Sequence, residues 1–329
     1  MNYRSVSDLS LLIARNMDRL PRDIDVVVGI PRSGLMVASL IALATNRPMA
    51  DVAGFCEGRL LASGHTRRHA GLDVEAGVVR RILLIDDSID TGTSLTQAQR
   101  AIAAARPAVE VVTLVAFATT RSAPVDISLE VVPHPRAFEW NIMHHPILER
   151  ACVDIDGVVC VDPTEDENDD GLRYAQFLDH AKALHLPTRR VGAFVTNRLE
   201  KYRPHTERWL EQAGLSYGHL IMLDLPNKAA RIRSGSHALH KATFYRQSAF
   251  ELFVESDVRQ ASEIARLSGK PVYCLEDRSV HTPGSFTAPA ISNRSGQIAR
   301  SLIWITKSAG KKVVGDRVYG TFKRLAGRA

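Results

Sequence analysis

Short apolar runs rich in β-branched residues alternate along the chain with segments whose apolar residues recur at helical spacing. Asp25–Gly29, Arg81–Ile85 and Val109–Ala116 are of the first kind, and Leu35–Ala44 and Leu95–Ala104 of the second. That alternation predicts βαβ units and so a parallel sheet, whose ligands bind beyond the carboxyl ends of its strands. The rhythm restarts at Ala151–Val153, with strands expected near Val191–Val195, Leu220–Leu223, Leu252–Val254 and Pro271–Leu275 and helices between them. A second sheet therefore begins near residue 150, and the Pro- and His-rich stretch Pro133–Glu149 is the expected boundary. The fold class that follows is α/β, with two Rossmann-like domains of mainly parallel sheet at 1–145 and 146–278, then a linker and basic amphipathic tail at 279–329.

The apolar run Ile82–Ile85 leads straight into Asp86-Asp87-Ser88-Ile89-Asp90-Thr91-Gly92-Thr93-Ser94, before a helix begins at Leu95. A loop of small residues at a helix N-terminus offers its amides, and here the Thr91, Thr93 and Ser94 hydroxyls, to a phosphate dianion, aided by the helix dipole. Asp86 and Asp87 then stand where they can accept from two ribose hydroxyls or hold a divalent cation. The run resembles the phosphoribosyl-pyrophosphate signature of type I phosphoribosyltransferases, an apolar strand followed by DDxxxTGxT, with Ser94 keeping the hydroxyl of the final Thr. Upstream, Val26-Val27-Val28-Gly29-Ile30-Pro31-Arg32-Ser33-Gly34 is similar to that family's pyrophosphate loop, in which backbone amides face the pyrophosphate and Arg32 neutralises it. The resemblance covers roughly the first 145 residues and implies phosphoribosyl pyrophosphate with Mg²⁺ as the substrate.

Three further features bear on that reading. Phe55–Arg80, with Arg59, His65, Arg67 and Arg68 among glycines, fits the family's mobile loop that closes over pyrophosphate, and also fits a solvated basic loop. Asp90 occupies the position where many purine-acting members carry a proton acceptor; it could equally stiffen the loop through backbone amides. Pro133–His145 is the expected hood over the acceptor, where Phe138 and Trp140 offer stacking faces, or else a packing plug between domains.

Ala151-Cys152-Val153 delivers Asp154-Ile155-Asp156-Gly157, two carboxylates on one face of an extended strand followed by a turn. Such a DxD serves as nucleophile plus acid/base beside Mg²⁺. The segment from about 151 to 277 resembles haloacid-dehalogenase-type phosphatases. That resemblance implies Asp154 and Asp156 as catalytic residues, Thr196 as the second motif, and Lys241, with Lys228 as rival, as the third. The usual Gly-Asp pair is here Glu255-Ser256-Asp257, so Glu255 and Asp257 both stand as Mg²⁺ ligands beside Asp154 and Asp156. Only Asp162–His185 is left for a cap, opening with the acidic run Glu165–Asp170.

The bulk numbers add limits. With 329 residues, 45% hydrophobic and 24% charged, the chain supports two cores, and a net charge of +6 suits an anionic partner without naming one. Cys56, Cys152, Cys160 and Cys274 show no CxxC or Cys/His zinc spacing, so a reduced, cytoplasmic setting with the thiols as small apolar fillers is expected. The basic stretch Ile298–Ala329 suits an anionic membrane surface, hence a location peripheral to its inner face, and suits equally a helix packed on its own domain or on a twin subunit in a homodimer. No nucleic-acid module is identifiable. A phosphoribosyltransferase fused to a phosphatase suggests sequential chemistry: 5-phosphoribose is attached, then its 5-phosphate removed. The combination resembles modules that place β-ribofuranose in bacterial surface polysaccharides, which implies a glycan or lipid-linked glycan acceptor. Nucleobase salvage and a non-catalytic nucleotide sensor are the competing readings.

Overall fold

The computed structural model describes residues 1–61, 79–235 and 237–284. Arg67, Arg68 and the greater part of the predicted closing loop, and the basic tail from 285 onward, lie outside the described residues. Met1–Pro283 forms one compact unit.

The N-terminal half is built on β2 (Val26–Gly29), β3 (Met49–Asp51), β4 (Arg81–Ile89), β5 (Glu110–Ala118) and β6 (Ile127–Val131), all parallel, in the order β3-β2-β4-β5-β6. Period-2 alternation divides the apolar residues of these strands between two cores. Val27, Leu83 and Ile85 face α1 (Val6–Arg15) and α2 (Ser33–Thr45), burying Leu9, Ile13, Val37 and Ile41. Val26, Val28, Ile82 and Leu84 face the other way, onto α3 (Val52–Cys56) and α4 (Thr93–Ala105), with Phe55, Leu95 and Ile102. Because the chain leaves β2 toward β3 on one side and returns to place β4 on the other, the loops after β2 and β4 diverge. The crevice between them is the topological switch point, where open α/β sheets bind ligands.

A two-stranded parallel piece pairs β1 (Asn2–Arg4) with β7 (Arg136–Phe138), and short 3₁₀ turns at Glu139–His144 and Pro146–Arg150 lead onward. The second sheet comprises β8 (Ala151–Val153), β9 (Val191–Leu199), β10 (Tyr217–Leu223), β11 (Leu252–Glu255), β12 (Val272–Cys274) and β13 (Ser279–His281), in the order β10-β9-β8-β11-β12-β13. Only β13 is antiparallel in it. Helices α5 (Leu172–His180), α6 (Arg203–Gln212), α7 (Lys228–Ser234), α8 (His237–Gln247) and α9 (Val258–Ser268) connect these strands. Here the switch point falls between β8 and β11.

The expected strands and their parallel order are present, but several ends differ. β4 runs to Ile89 rather than Ile85, because β5 stays paired with it as far as Ala118. β9 likewise runs to Leu199, carrying Thr196 inside the strand. The second sheet continues to His281, past the expected start of the linker at 279, because β13 folds back on β12.

Candidate active sites

At the first switch point, the N-termini of α2 and α4 and the end of β4 converge. Gly34 makes the approach of α2 possible: a Cβ there would lie 2.7 Å from the Ile85 carbonyl oxygen and 3.0 Å from the Asp86 Cα. Ser33, beside it, donates its hydroxyl to Asp87 Oδ1 at 2.8 Å. Trp140 Nε1 donates to Asp87 Oδ2, also at 2.8 Å. Both oxygens of this buried carboxylate are therefore engaged by protein donors. Asp86 is less enclosed and its carboxyl is pushed up to about 7, first by burial and then by its neighbour Asp87. Arg32 is exposed at the N-terminus of α2. Gly92, with φ of 78°, starts α4; Thr91 and Thr93 hydroxyls lie 2.9 Å apart, and both residues and Ser94 are exposed at that helix start. Thus Ser33, Gly34, Asp86, Asp87 and Trp140 are brought into contact at this switch point, with Arg32 at the start of α2 and Thr91, Gly92, Thr93 and Ser94 at the start of α4.

The hood is anchored from below. Arg136, buried, donates to the Ile89 carbonyl at 2.7 Å, which ties β7 to the end of β4. His134 Nε2 lies 3.1 Å from Asp90 Oδ1, with both side chains more than half exposed. Phe138, expected to offer a stacking face, is buried and stacked on Phe117 at 5.1 Å and on Trp140 at 5.0 Å. It is a core residue, and its aromatic surface serves to orient Trp140. Ile142, Met143, Ile147 and Leu148 belong to the core of the second sheet, so the hood is also the packing plug.

At the second switch point the acid-rich strand ends meet. Lys241, reaching in from α8 and almost fully buried, donates to Asp154 Oδ2 and to Glu255 Oε2, each at 2.7 Å. Burial pushes the Asp154 carboxyl well up; Lys241 opposes that, and Glu255 and Asp156 reinforce it. Lys241 itself is raised: burial would lower it, but Asp154 and Glu255 outweigh that. Lys228, the rival, directs its ammonium to the Asn168 carbonyl. Asp156 is gripped by Arg198, with Nη2 2.6 Å from Oδ1 and Nε 3.1 Å from Oδ2, the guanidinium being fully buried. Thr196 is buried two positions earlier on β9 and accepts from the Arg198 amide at 3.2 Å. Asp154, Asp156, Thr196, Asn197, Arg231 and Lys241 are among the residues that line a pocket of about 170 Å³.

Two further acidic groups sit at helix starts. Asp257, a candidate Mg²⁺ ligand, caps α9, accepting the Gln260 amide at 2.8 Å on Oδ1. The acidic run before α5 is a built helix start, since Asp169 accepts the Gly171 amide at 2.8 Å and the Tyr174 amide at 3.0 Å, which holds its carboxyl down at about 2. The sequence pattern assigns no role to Arg198 or His134, and places Arg136 in the hood, where it proves to be the buried anchor. Arg198 had one usable signal, its i, i+2 placement after Thr196, which puts both on one face of a strand.

Residues 6–144 match the family model of the phosphoribosyl transferase domain. This part of the chain, less than half of its length, has the type I phosphoribosyltransferase fold. Among solved structures, the xanthine-guanine-hypoxanthine phosphoribosyltransferase of Helicobacter pylori is similar at 16% identity, over 43% of this chain and 92% of that one, with a TM-score of 0.30. The purine phosphoribosyltransferase of Pyrococcus horikoshii gives 18%, 42%, 92% and 0.30. The orotate phosphoribosyltransferase of Aeropyrum pernix gives 22%, 38%, 69% and 0.26. No curated protein matches the chain. Among the described residues, no helix is long and apolar enough to cross a membrane.

Proposed function

We propose that the chain transfers 5-phosphoribosyl from phosphoribosyl pyrophosphate to a glycan hydroxyl, and that its second sheet then removes the 5-phosphate to leave a β-ribofuranosyl unit. The observation that carries this reading is Lys241 held between Asp154 and Glu255 at the switch point of a second parallel sheet. A phosphoryl-transfer site in the same chain as a phosphoribosyltransferase domain gives both sites one product to share.

In the first step the C1–pyrophosphate bond breaks as the acceptor oxygen attacks the opposite face, inverting the α-linkage to β. The anomeric centre passes through an oxocarbenium-like state, so the protein's task is to fix the leaving group and keep water out. The amides and hydroxyls from Thr91 to Ser94 hold the 5-phosphate, and Asp86 faces the ribose hydroxyls. Ser33 and Arg32 sit where pyrophosphate leaves. Asp90, exposed beside His134, takes the acceptor proton. In the second step Asp154 attacks phosphorus while Asp156, fixed in its rotamer by Arg198, gives a proton to the departing hydroxyl; Asp156 then takes a proton from the water that breaks the Asp154–phosphoryl bond and frees phosphate, with Thr196 and Lys241 holding the phosphoryl oxygens in both halves. The pocket is small, which suits the phosphorylated end of a large molecule whose remainder stays outside.

Both donor sets suit Mg²⁺, a hard cation that prefers carboxylate and phosphate oxygen. Asp86 beside Asp87, and Asp154 beside Glu255 and Asp156, are crowded carboxylates; burial raises Asp86 and Asp154, and repulsion from the neighbouring acids adds to it. Bound there, the cation supplies charge neutralisation for pyrophosphate and for the transferring phosphoryl group.

The test combines protein, phosphoribosyl pyrophosphate, Mg²⁺ and a panel of sugar acceptors and free bases, with products followed by mass spectrometry for wild type and Asp154→Asn. A phosphoribosylated glycan accumulating in the variant, with the dephosphorylated glycan in wild type, supports both steps. Nucleotide formed from a free base would replace the glycan acceptor with a nucleobase.

A further inference from the structure

At the far edge of the second sheet, β12 turns back into β13 through Leu275–Arg278. Cys274 ends β12, Asp277 lies in the turn, and His281 ends β13. The antiparallel register pairs Cys274 with Ser279 and Val272 with His281. One ligand atom from each of Cys274, Asp277 and His281 falls within 4.8 Å of the other two. Cys274 is fully buried and His281 nearly so, while Asp277 lies at the mouth.

We propose that Cys274, Asp277 and His281 form a binding site for a borderline divalent cation of the Zn²⁺ type, with water as the fourth ligand. Thiolate, imidazole and carboxylate together select such an ion over Mg²⁺, which takes oxygen alone. His281 Nε2 already lies 3.0 Å from Asp277 Oδ2, so two of the three ligand atoms face one another. Cys274 Sγ donates to the Ser256 carbonyl at 3.5 Å, a bond that the thiol gives up as it loses its proton to make the metal–sulfur bond. On binding, the thiol gives its proton to solvent as the metal–sulfur bond forms, so affinity rises with pH.

The site would brace a contact that matters to the first domain. Arg278, inside the bracketed turn, gives its carbonyl to the Tyr3 hydroxyl at 2.8 Å and its guanidinium to Glu139 Oε1 at 3.1 Å. Glu139 also accepts the Val6 amide at 2.8 Å, at the head of α1 and next to Trp140. The turn thus holds the hood and the N-terminus against the second sheet.

The experiment uses the full chain, stripped with chelator and titrated with Co²⁺ as a spectroscopic probe for Zn²⁺. Wild type is expected to develop a near-ultraviolet sulfur-to-cobalt charge-transfer band that saturates at one ion per chain and is discharged by Zn²⁺ but not by excess Mg²⁺. Cys274→Ser, whose oxygen keeps the size of the side chain, should lose the band while Cys56→Ser keeps it. A wild-type protein with no such band would overturn the proposal without recourse to any variant, and so would a band that persists in Cys274→Ser.

Discussion

Asp87 accepts from Ser33 on one oxygen and from Trp140 on the other, so its charge ties the start of α2, β4 and the Trp140 turn together. Asp86, one residue earlier, is left as the acid that meets solvent. Its carboxyl, at about 7 in the folded protein, is raised from an unperturbed 3.8. The folded state therefore keeps a proton that the unfolded chain has already lost. Stability contributed by that proton is complete below about pH 4 and is lost as pH rises toward 7, because the unfolded state binds fewer protons across that window. Asp86→Asn, which cannot ionise, should gain melting temperature relative to wild type between those limits and run parallel to it above them; a constant offset across the range would refute the assignment. Arg198 makes the opposite case. Its buried guanidinium is raised: burial would lower it, but Asp156 outweighs that. Removing one member of a buried pair leaves a charge without compensation, so Arg198→Met is expected to cost about 3–5 kcal/mol. Denaturant titration should show part of that loss recovered in the double variant with Asp156→Asn, and equal losses in single and double variants would exclude coupling.

Among the elements, α2 and β4 depend on one another through Gly34. An alanine Cβ would meet the backbone of Ile85 and Asp86 rather than a flexible side chain, so the helix must retreat. Gly34→Ala is expected to destabilise by about 1–3 kcal/mol, the usual range for overpacking, and to weaken phosphoribosyl-pyrophosphate binding more than tenfold, because Ser33 retreats from Asp87. Calorimetric binding and thermal melts measured together decide this; normal binding in a destabilised variant would separate the helix from the site. Such element-level features differ in how far the sequence displays them. The strands ending at Gly29 and Asp86, and the helices after them, rest on local signals: β-branched runs, helical period, and a glycine where backbone crowds backbone. The ends of β4 and β9 were misplaced because a strand continues for as long as its neighbour stays paired, which is a property of two distant segments. The β1–β7 pair joins residues over 130 positions apart and has no local signature. Arg198 finding Asp156 likewise depends on tertiary placement, although the DxD, Thr196 and Lys241 were visible as types at sensible strand and helix positions. Phe138 illustrates the reverse error, since an aromatic residue in a polar stretch suggests a ligand face until the chain is seen to bury it.

For the molecule as a whole, the stretch from Arg136 to Arg150 decides whether the two sheets behave separately. Arg136 and Phe138 are fixed to the first sheet, and Ile142, Met143, Ile147 and Leu148 are part of the second core. Tyr3 reinforces this from the other side, packing its ring 5.5 Å from that of Tyr273 while its hydroxyl binds Arg278. Each core therefore contains residues whose backbone position is set by the other. Unfolding the second sheet would strip Ile142 and its neighbours of cover and release Trp140 from Asp87, so the first site cannot stay intact alone. Differential scanning calorimetry of the full chain should accordingly show the two sheets melting in a single transition. Ile142→Ala, a buried large-to-small change costing about 2–5 kcal/mol, should lower that transition and, at temperatures below it, reduce affinity for phosphoribosyl pyrophosphate although Ile142 does not line the first crevice. Two resolved transitions, with only one of them moved by the substitution, would mean that the hood transmits nothing and that the sheets are independent domains sharing a chain.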